Sequence, residues 1–260
     1  GMASVYLARH LADATATPVA LKVMLPHLLA NPDYREMFVK EEAMGRLLSH
    51  PNVVQIIERV QSDNGQALAM EFLDGRNLIQ VVSAARRRSQ AISFPVVARV
   101  ITDIARALER GWTALDHDGQ PIRVIHRDVS PENVLLTYDG QVKLIDFGIG
   151  QSAASGAQTS GHQHYTAPEV IQTGKASEHS DTYSLGRVLE DMLGCVQKEG
   201  LGFSQYLWTK KRKACIDQLT HHLPAKRLSL EQALNISSSS DNGSANVTYK
   251  TLVTFSAIAI

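Results

Sequence analysis

The run His126-Arg127-Asp128-Val129-Ser130-Pro131-Glu132-Asn133, followed by Asp146-Phe147-Gly148, constrains this chain most. It sets a carboxylate and an amide five residues apart, then a second carboxylate about a dozen residues later. Such a set suits chemistry on a metal-bound phosphate. One acid accepts a hydroxyl proton, and an amide and an acid hold Mg²⁺ through oxygen. Apolar Val134-Leu135-Leu136 and Val142-Lys143-Leu144-Ile145 bracket Asp139-Gly140, which predicts a tight β-hairpin between the two motifs. Two ordered motifs around one hairpin are hard to get by chance.

The chain has 260 residues, zero formal charge and 44% hydrophobic content, enough for one globular unit, single or two-lobed, with a real core. The neutral balance argues against bulk nucleic-acid binding, which needs a basic face. Cys195 and Cys215 lie in no CxxC pattern and read as reduced thiols rather than a disulfide framework or zinc site. No signal peptide opens the chain, and Gly1-Met2-Ala3-Ser4-Val5-Tyr6 reads as the middle of an element.

Val5 to Ala8 and Val19 to Val23 read as antiparallel strands. Asn31 to Leu48 reads as a helix, capped by Asn31-Pro32 and stopped by His50-Pro51-Asn52. Val53 to Ile57 and Ala67 to Leu73 read as two further strands around Asp63-Asn64-Gly65, and Asp74-Gly75 ends a small β-rich part. From Leu78 the pattern turns helical, most clearly over Val96 to Leu115. Gly150 to Gly161 reads as a mobile loop. Helices are predicted near 181–195, 213–223 and 229–235, and Ile236 to Asn246 as a polar linker.

With these motifs in place, residues 1–235 resemble a eukaryotic-type (Hanks-type) protein kinase domain, most like bacterial Ser/Thr members. The resemblance implies an α+β, two-lobed fold, with a small β-rich lobe carrying one main helix and a larger, mainly helical lobe. The smaller lobe is expected over 1–73 and the larger over 74–235, with a polar linker at 236–250 and an apolar tail at 251–260. It implies transfer of the ATP γ-phosphate to Ser/Thr hydroxyls of proteins. ATP and Mg²⁺, with Mn²⁺ as an alternative, are the implied cofactors.

The resemblance also implies roles, residue by residue. Lys22 reaches the phosphates, held by Glu41, with the adjacent Glu42 as the other candidate. Asp128 is the catalytic base, and Asn133 and Asp146 are the metal ligands. Met70 is the gatekeeper, backbone groups of Glu71 and Leu73 bond adenine, and Val5, Ala20 and Leu135 enclose the ring. Arg127 pairs with a phosphorylated loop, for which Thr159 and Ser160 are the first acceptors and Ser152 and Ser155 the next. His126, Phe147, Asp181 and the pair Glu169–Arg227 are structural. Partners are ATP and protein substrates, with no nucleic acid. A homodimer for activation stays open. So does a membrane tether continuing from Thr251 to Ile260, against a β-strand of a following domain. Location is cytoplasmic, or the cytoplasmic face of the inner membrane if that tail is an anchor.

Five features depart from the family pattern. The third glycine of its phosphate loop falls on Ala3, and the first two precede Gly1, so the pattern reads as cut within that loop. Ser130 stands where a lysine usually touches the transferred phosphate. His162 replaces a threonine, and Gly45 a bulky apolar residue one turn after Glu41. The region between Gly194 and Lys213 lacks the usual Pro-Phe landmark. These departures motivate a second reading, a pseudokinase that senses nucleotide or docks partners. A small-molecule phosphotransferase is the third, opposed by Ala167-Pro168-Glu169 and the Asp181 motif.

Overall fold

The computed structural model describes residues 3–9, 17–62, 65–147, 163–195, 213–229 and 232. Thr159, Ser160, His162, the linker and the apolar tail lie outside them. Strands β1 (Ala3–Ala8), β2 (Val19–Met24), β3 (Ile56–Ser62) and β4 (Gly65–Glu71) form an antiparallel sheet in the order β1-β2-β4-β3. Helix α1 (Pro32–Leu47) packs on this sheet. Asn31 starts it by accepting from the Asp33 N–H, and Pro32 supplies a first turn that needs no amide donor.

The larger lobe is built on α2 (Leu78–Arg87), α3 (Phe94–Trp112), α4 (Pro168–Thr173) and α5 (Glu178–Leu193). Residues 213–219 are also helical. A second sheet joins β5 (Gly75–Asn77), β6 (Val134–Thr137) and β7 (Val142–Leu144). Leu78, Val81, Val97, Val100, Ile104, Leu108, Leu185 and Leu189 form its main core, with Leu136 and Leu144 from the hairpin. The upper core is smaller, made of Met24, Phe38, Val54, Ile56, Leu68 and Met70. The two sheets, each on its own core, give the chain two lobes, as expected.

The structure departs from the sequence reading at three places. The apolar run Val53 to Ile57 is not the strand; β3 covers Ile56–Ser62 and carries Glu58, Arg59 and Gln61. It is an edge strand, where polar residues are tolerated and protective. The apolar run serves the junction instead. Val53 belongs to the lower core and Val54 to the upper, and the Val54 N–H donates to Leu144 O at 3.0 Å. Second, Gly75 does not end the β structure but opens β5, paired with Thr137. Third, the six-residue α4 has too few residues to show a period.

Gly75 is required by close approach. A Cβ there would lie 2.2 Å from Leu136 O and 2.7 Å from Thr137 Cα, both backbone atoms that cannot swing away. Gly75→Ala is therefore expected to cost about 1–3 kcal/mol through overpacking. A lowered midpoint of urea unfolding checks this, and an unchanged midpoint shows that β5 tolerates the methyl group.

Candidate active site

Lys22 projects from β2, between Val5 of β1 and Leu68 of β4 in the register. Its Nζ lies 2.7 Å from Glu41 Oε1 and 2.8 Å from Asp146 Oδ1. Burial alone pulls an ammonium towards neutrality, but the two carboxylates outweigh it and the Lys22 pKa is raised. Glu41 is pushed up, first by burial and then by Asp146, with Lys22 opposing both. Its neighbour Glu42 turns away to Arg59 and Arg46.

Gly45 sits one turn beyond Glu41, and its missing side chain has a structural counterpart. A Cβ at Gly45 would meet Ile56 Cδ1 at 2.2 Å, so Ile56 fills that space. Glu41, Gly45, Val54, Ile56, Met70 and Phe147 line a small cavity behind Met70.

The segment 126–133 is held from below by Asp181 of α5. Its carboxylate accepts the backbone N–H groups of His126 and Arg127, each at 2.9 Å, and the Trp112 indole N–H at 3.2 Å. Burial raises the Asp181 pKa, and these donors together with His126 oppose the rise. His126 is fully buried, its Nε2 lies 3.0 Å from Ile145 O, and its Nδ1 accepts the Asp128 N–H at 3.3 Å. That pattern requires a neutral ring protonated at Nε2, in keeping with a pKa lowered by burial. The ring also meets Phe147, centroid to centroid at 4.6 Å.

Asn133 donates through Nδ2 to Asp128 O at 2.8 Å and Asp128 Oδ2 at 2.9 Å. Its carbonyl accepts the Ile145 N–H at 2.9 Å, which sets it against the residue before Asp146. Arg127 and Asp146 both adopt left-handed backbone, at φ 70° and φ 55°. Such residues are strained and persist only where their surroundings impose them. Ser130 Oγ is buried with no hydrogen-bond partner among the described residues.

The candidate nucleotide walls surround this cluster. Ala20 pairs with Leu7 and with Met70, Val5 is exposed on β1, and Leu135 lies on β6. Glu71 ends β4, and Leu73 follows in the connection to β5. The Glu71 side chain accepts from Lys143 Nζ at 2.6 Å and the Gln55 N–H at 2.8 Å, tying β4 to β7. Sequence reasoning missed Lys143, Gln55 and Trp112. A lysine inside the apolar run of β7 was the one available signal.

Farther out, Arg227 grips Glu169 with two parallel bonds of 2.6 and 2.8 Å. It also donates to His179 O and His221 O and lies 5.0 Å from the Tyr183 ring. Burial tends to raise the Glu169 pKa, but the Arg227 bonds win and the net direction is down.

Comparison with known proteins places this geometry. Residues 1–198 match the family model described as the protein kinase domain. The tyrosine-protein kinase MasK of Myxococcus xanthus is 39% identical over 74% of this chain and 31% of its own length. The serine/threonine-protein kinase PknJ of Mycobacterium tuberculosis is 35% identical over 74% of this chain and 32% of its own. The chain thus spans about a third of the length of these curated relatives. The crystal structure of the Mycobacterium tuberculosis PknI kinase domain superposes with a TM-score of 0.65 at 25% identity, covering 91% of each chain.

The Arg227 side chain is fully buried. Arg227→Ala is expected to cost about 3–5 kcal/mol, because Glu169 and two carbonyls lose their donor. The pair also has a pH signature. The folded pKa of Glu169 lies below its ordinary value of 4.5, so its contribution is complete above that value and fades as the pH falls through the lower one. Melting temperatures followed from neutral pH to well below pH 4.5 should fall less steeply for Glu169→Gln than for the wild type; parallel curves exclude this pair as an acid-sensitive element.

Proposed function

Because the chain belongs to the protein kinase family, we propose that it transfers the γ-phosphoryl group of ATP to serine and threonine hydroxyls of protein substrates. One observation carries the reading: Lys22 bridges Glu41 and Asp146, while Asn133 holds Asp128 one hairpin strand away. Lys22 binds the α- and β-phosphates, and Glu41 keeps its ammonium aimed. Asp128 orients the acceptor hydroxyl and takes its proton as the new P–O bond forms and ADP leaves. Asn133 presents that carboxylate.

The donors fit a hard divalent cation. Asn133 spends its NH₂ group on Asp128, which leaves the amide oxygen, and Asp146 commits one carboxylate oxygen to Lys22 and keeps the other. Glu41, Asp146 and Lys22 together also carry one negative charge in excess. Mg²⁺, or Mn²⁺ as the alternative, would neutralise charge on the phosphate oxygens, with Asn133 and Asp146 as its protein ligands.

Adenine lies between Val5, Ala20 and Leu135, behind it Met70, with backbone bonds to Glu71 and Leu73. Arg127 receives a phosphate on Thr159 or Ser160. A lobe boundary at 73/74, a second copy for activation and a tether continuing from 251–260 belong to the same reading. The serine/threonine acceptor class follows relatives named for it, such as PknJ. Ser130 favours the second reading, a docking pseudokinase, because a buried hydroxyl in that place brings no cation to the transferred group.

Incubation with radiolabelled ATP, Mg²⁺ and a generic protein acceptor separates the readings. Asp128→Asn should lower incorporation by about 10²–10⁴-fold, with label on phosphoserine and phosphothreonine. Equal incorporation in both proteins supports the docking reading. Label confined to phosphotyrosine moves the acceptor to the class in the name of MasK.

A further inference from the structure

We propose that Arg110 is a positioning residue for phosphoryl transfer, holding the C-terminal end of α1, and through it Glu41, against the larger lobe. The consequence for catalysis rests on the kinase reading above; the premise rests on geometry. Arg110 stands on α3 beside Ala107, Leu108 and Gly111, which are buried in the main core, so its backbone is anchored. Its Nη2 donates to Leu47 O at 2.8 Å, and its Nε to Ser49 O at 3.4 Å.

Leu47 closes α1, where the last carbonyls have no partner within the helix and the helix dipole is negative. Many helices solve this with a glycine in left-handed backbone just past the end. Here the cap is Leu48, at φ −91° and ψ 46°, followed by Ser49 and His50. A guanidinium from the other lobe therefore supplies the donors that the local chain does not.

The helix has apolar ties at this end, through the buried cap residue Leu48 and the partly buried Met44 at the main core, and Arg110 adds polar ones. Phe38 and Gly45 are its buried residues, and Gly45 brings flexibility instead of a packed side chain. Behind Arg110, Asn52 donates to Val142 O at 2.9 Å and accepts from the Leu144 N–H at 2.8 Å. These bonds fix the segment after the helix to β7, whereas Arg110 fixes the helix end itself. Glu41 lies six residues, roughly 9 Å, up the helix from Leu47. A displacement of about 1 Å there takes the Lys22–Glu41 contact beyond hydrogen-bond range. Burial and the neighbouring Arg110 charge also hold the His50 pKa down, so that its Nδ1 accepts the Asn52 N–H at 3.1 Å.

The test compares the 260-residue chain with Arg110→Ala, Arg110→Lys and the exposed same-helix control Glu109→Gln. Amide hydrogen exchange over α1 is read by mass spectrometry, alongside kcat and the ATP KM. Arg110→Ala should speed α1 exchange about tenfold and lower kcat about tenfold, with KM changed less than about twofold. Arg110→Lys should restore most of both, because an ammonium still reaches Leu47 O, and Glu109→Gln should exchange like the wild type. Unchanged α1 exchange in Arg110→Ala overturns the inference, as does equal loss in the lysine variant. The exchange readout needs no catalysis: a wild type that transfers no phosphate defeats the kinase reading and leaves the Arg110 inference to be decided by exchange. Should Arg110→Ala fail to fold, Arg110→Lys and Arg110→Gln carry the same comparison.

Discussion

One buried ammonium organises the upper half of the site. Lys22 sits between Glu41 and Asp146, which come from α1 and from the end of the catalytic hairpin. An isolated charge at this depth would be too costly to bury. Each carboxylate therefore answers the desolvation of the lysine, and the lysine answers theirs. The outcome is geometric as much as energetic: β2, α1 and the segment after β7 meet at one nitrogen atom. None of them can shift alone without stranding a charge.

The lower half depends on a second buried charge. Asp181 accepts two successive backbone amides of the segment 126–133 and the Trp112 indole. That grip explains how Arg127 persists in left-handed backbone, since the strain is offset by charged hydrogen bonds to its own amide and to the amide before it. His126 completes the support as a neutral ring bridging Ile145 O and the Asp128 N–H. Asp128 and Asn133 then emerge on a loop whose backbone is already determined. The two halves meet at Ile145, whose amide bonds Asn133 just before Asp146.

Legibility in the sequence followed the range of the forces involved. The Asn31 cap, the length of α1 and the hairpin around Asp139-Gly140 are local and could be read directly. The run Val53 to Ile57 misled because apolar residues looked like a strand, whereas they span the junction of two cores. β5 carried no signal, because three residues show no period and its glycine serves a close approach to Leu136. Lys143 and Trp112 act through partners 72 and 69 residues away in sequence, Glu71 and Asp181. Gly45 was legible as a departure, but its complement, Ile56, was not.

The sequence by itself determined the family, the order of the elements and the identity of the polar residues, because motif spacing and hydrophobic period are properties of the chain. Tertiary structure alone decided which carboxylate Lys22 takes, since Glu41 and Glu42 are adjacent and only the orientation of α1 on the sheet separates them. It also decided that Arg110 reaches the Leu47 and Ser49 carbonyls and that Ser130 is buried with no partner among the described residues. These are facts of through-space distance, and no local pattern encodes the approach of Lys22 to Glu41, 19 positions away, or of Arg110 to Leu47, 63 away.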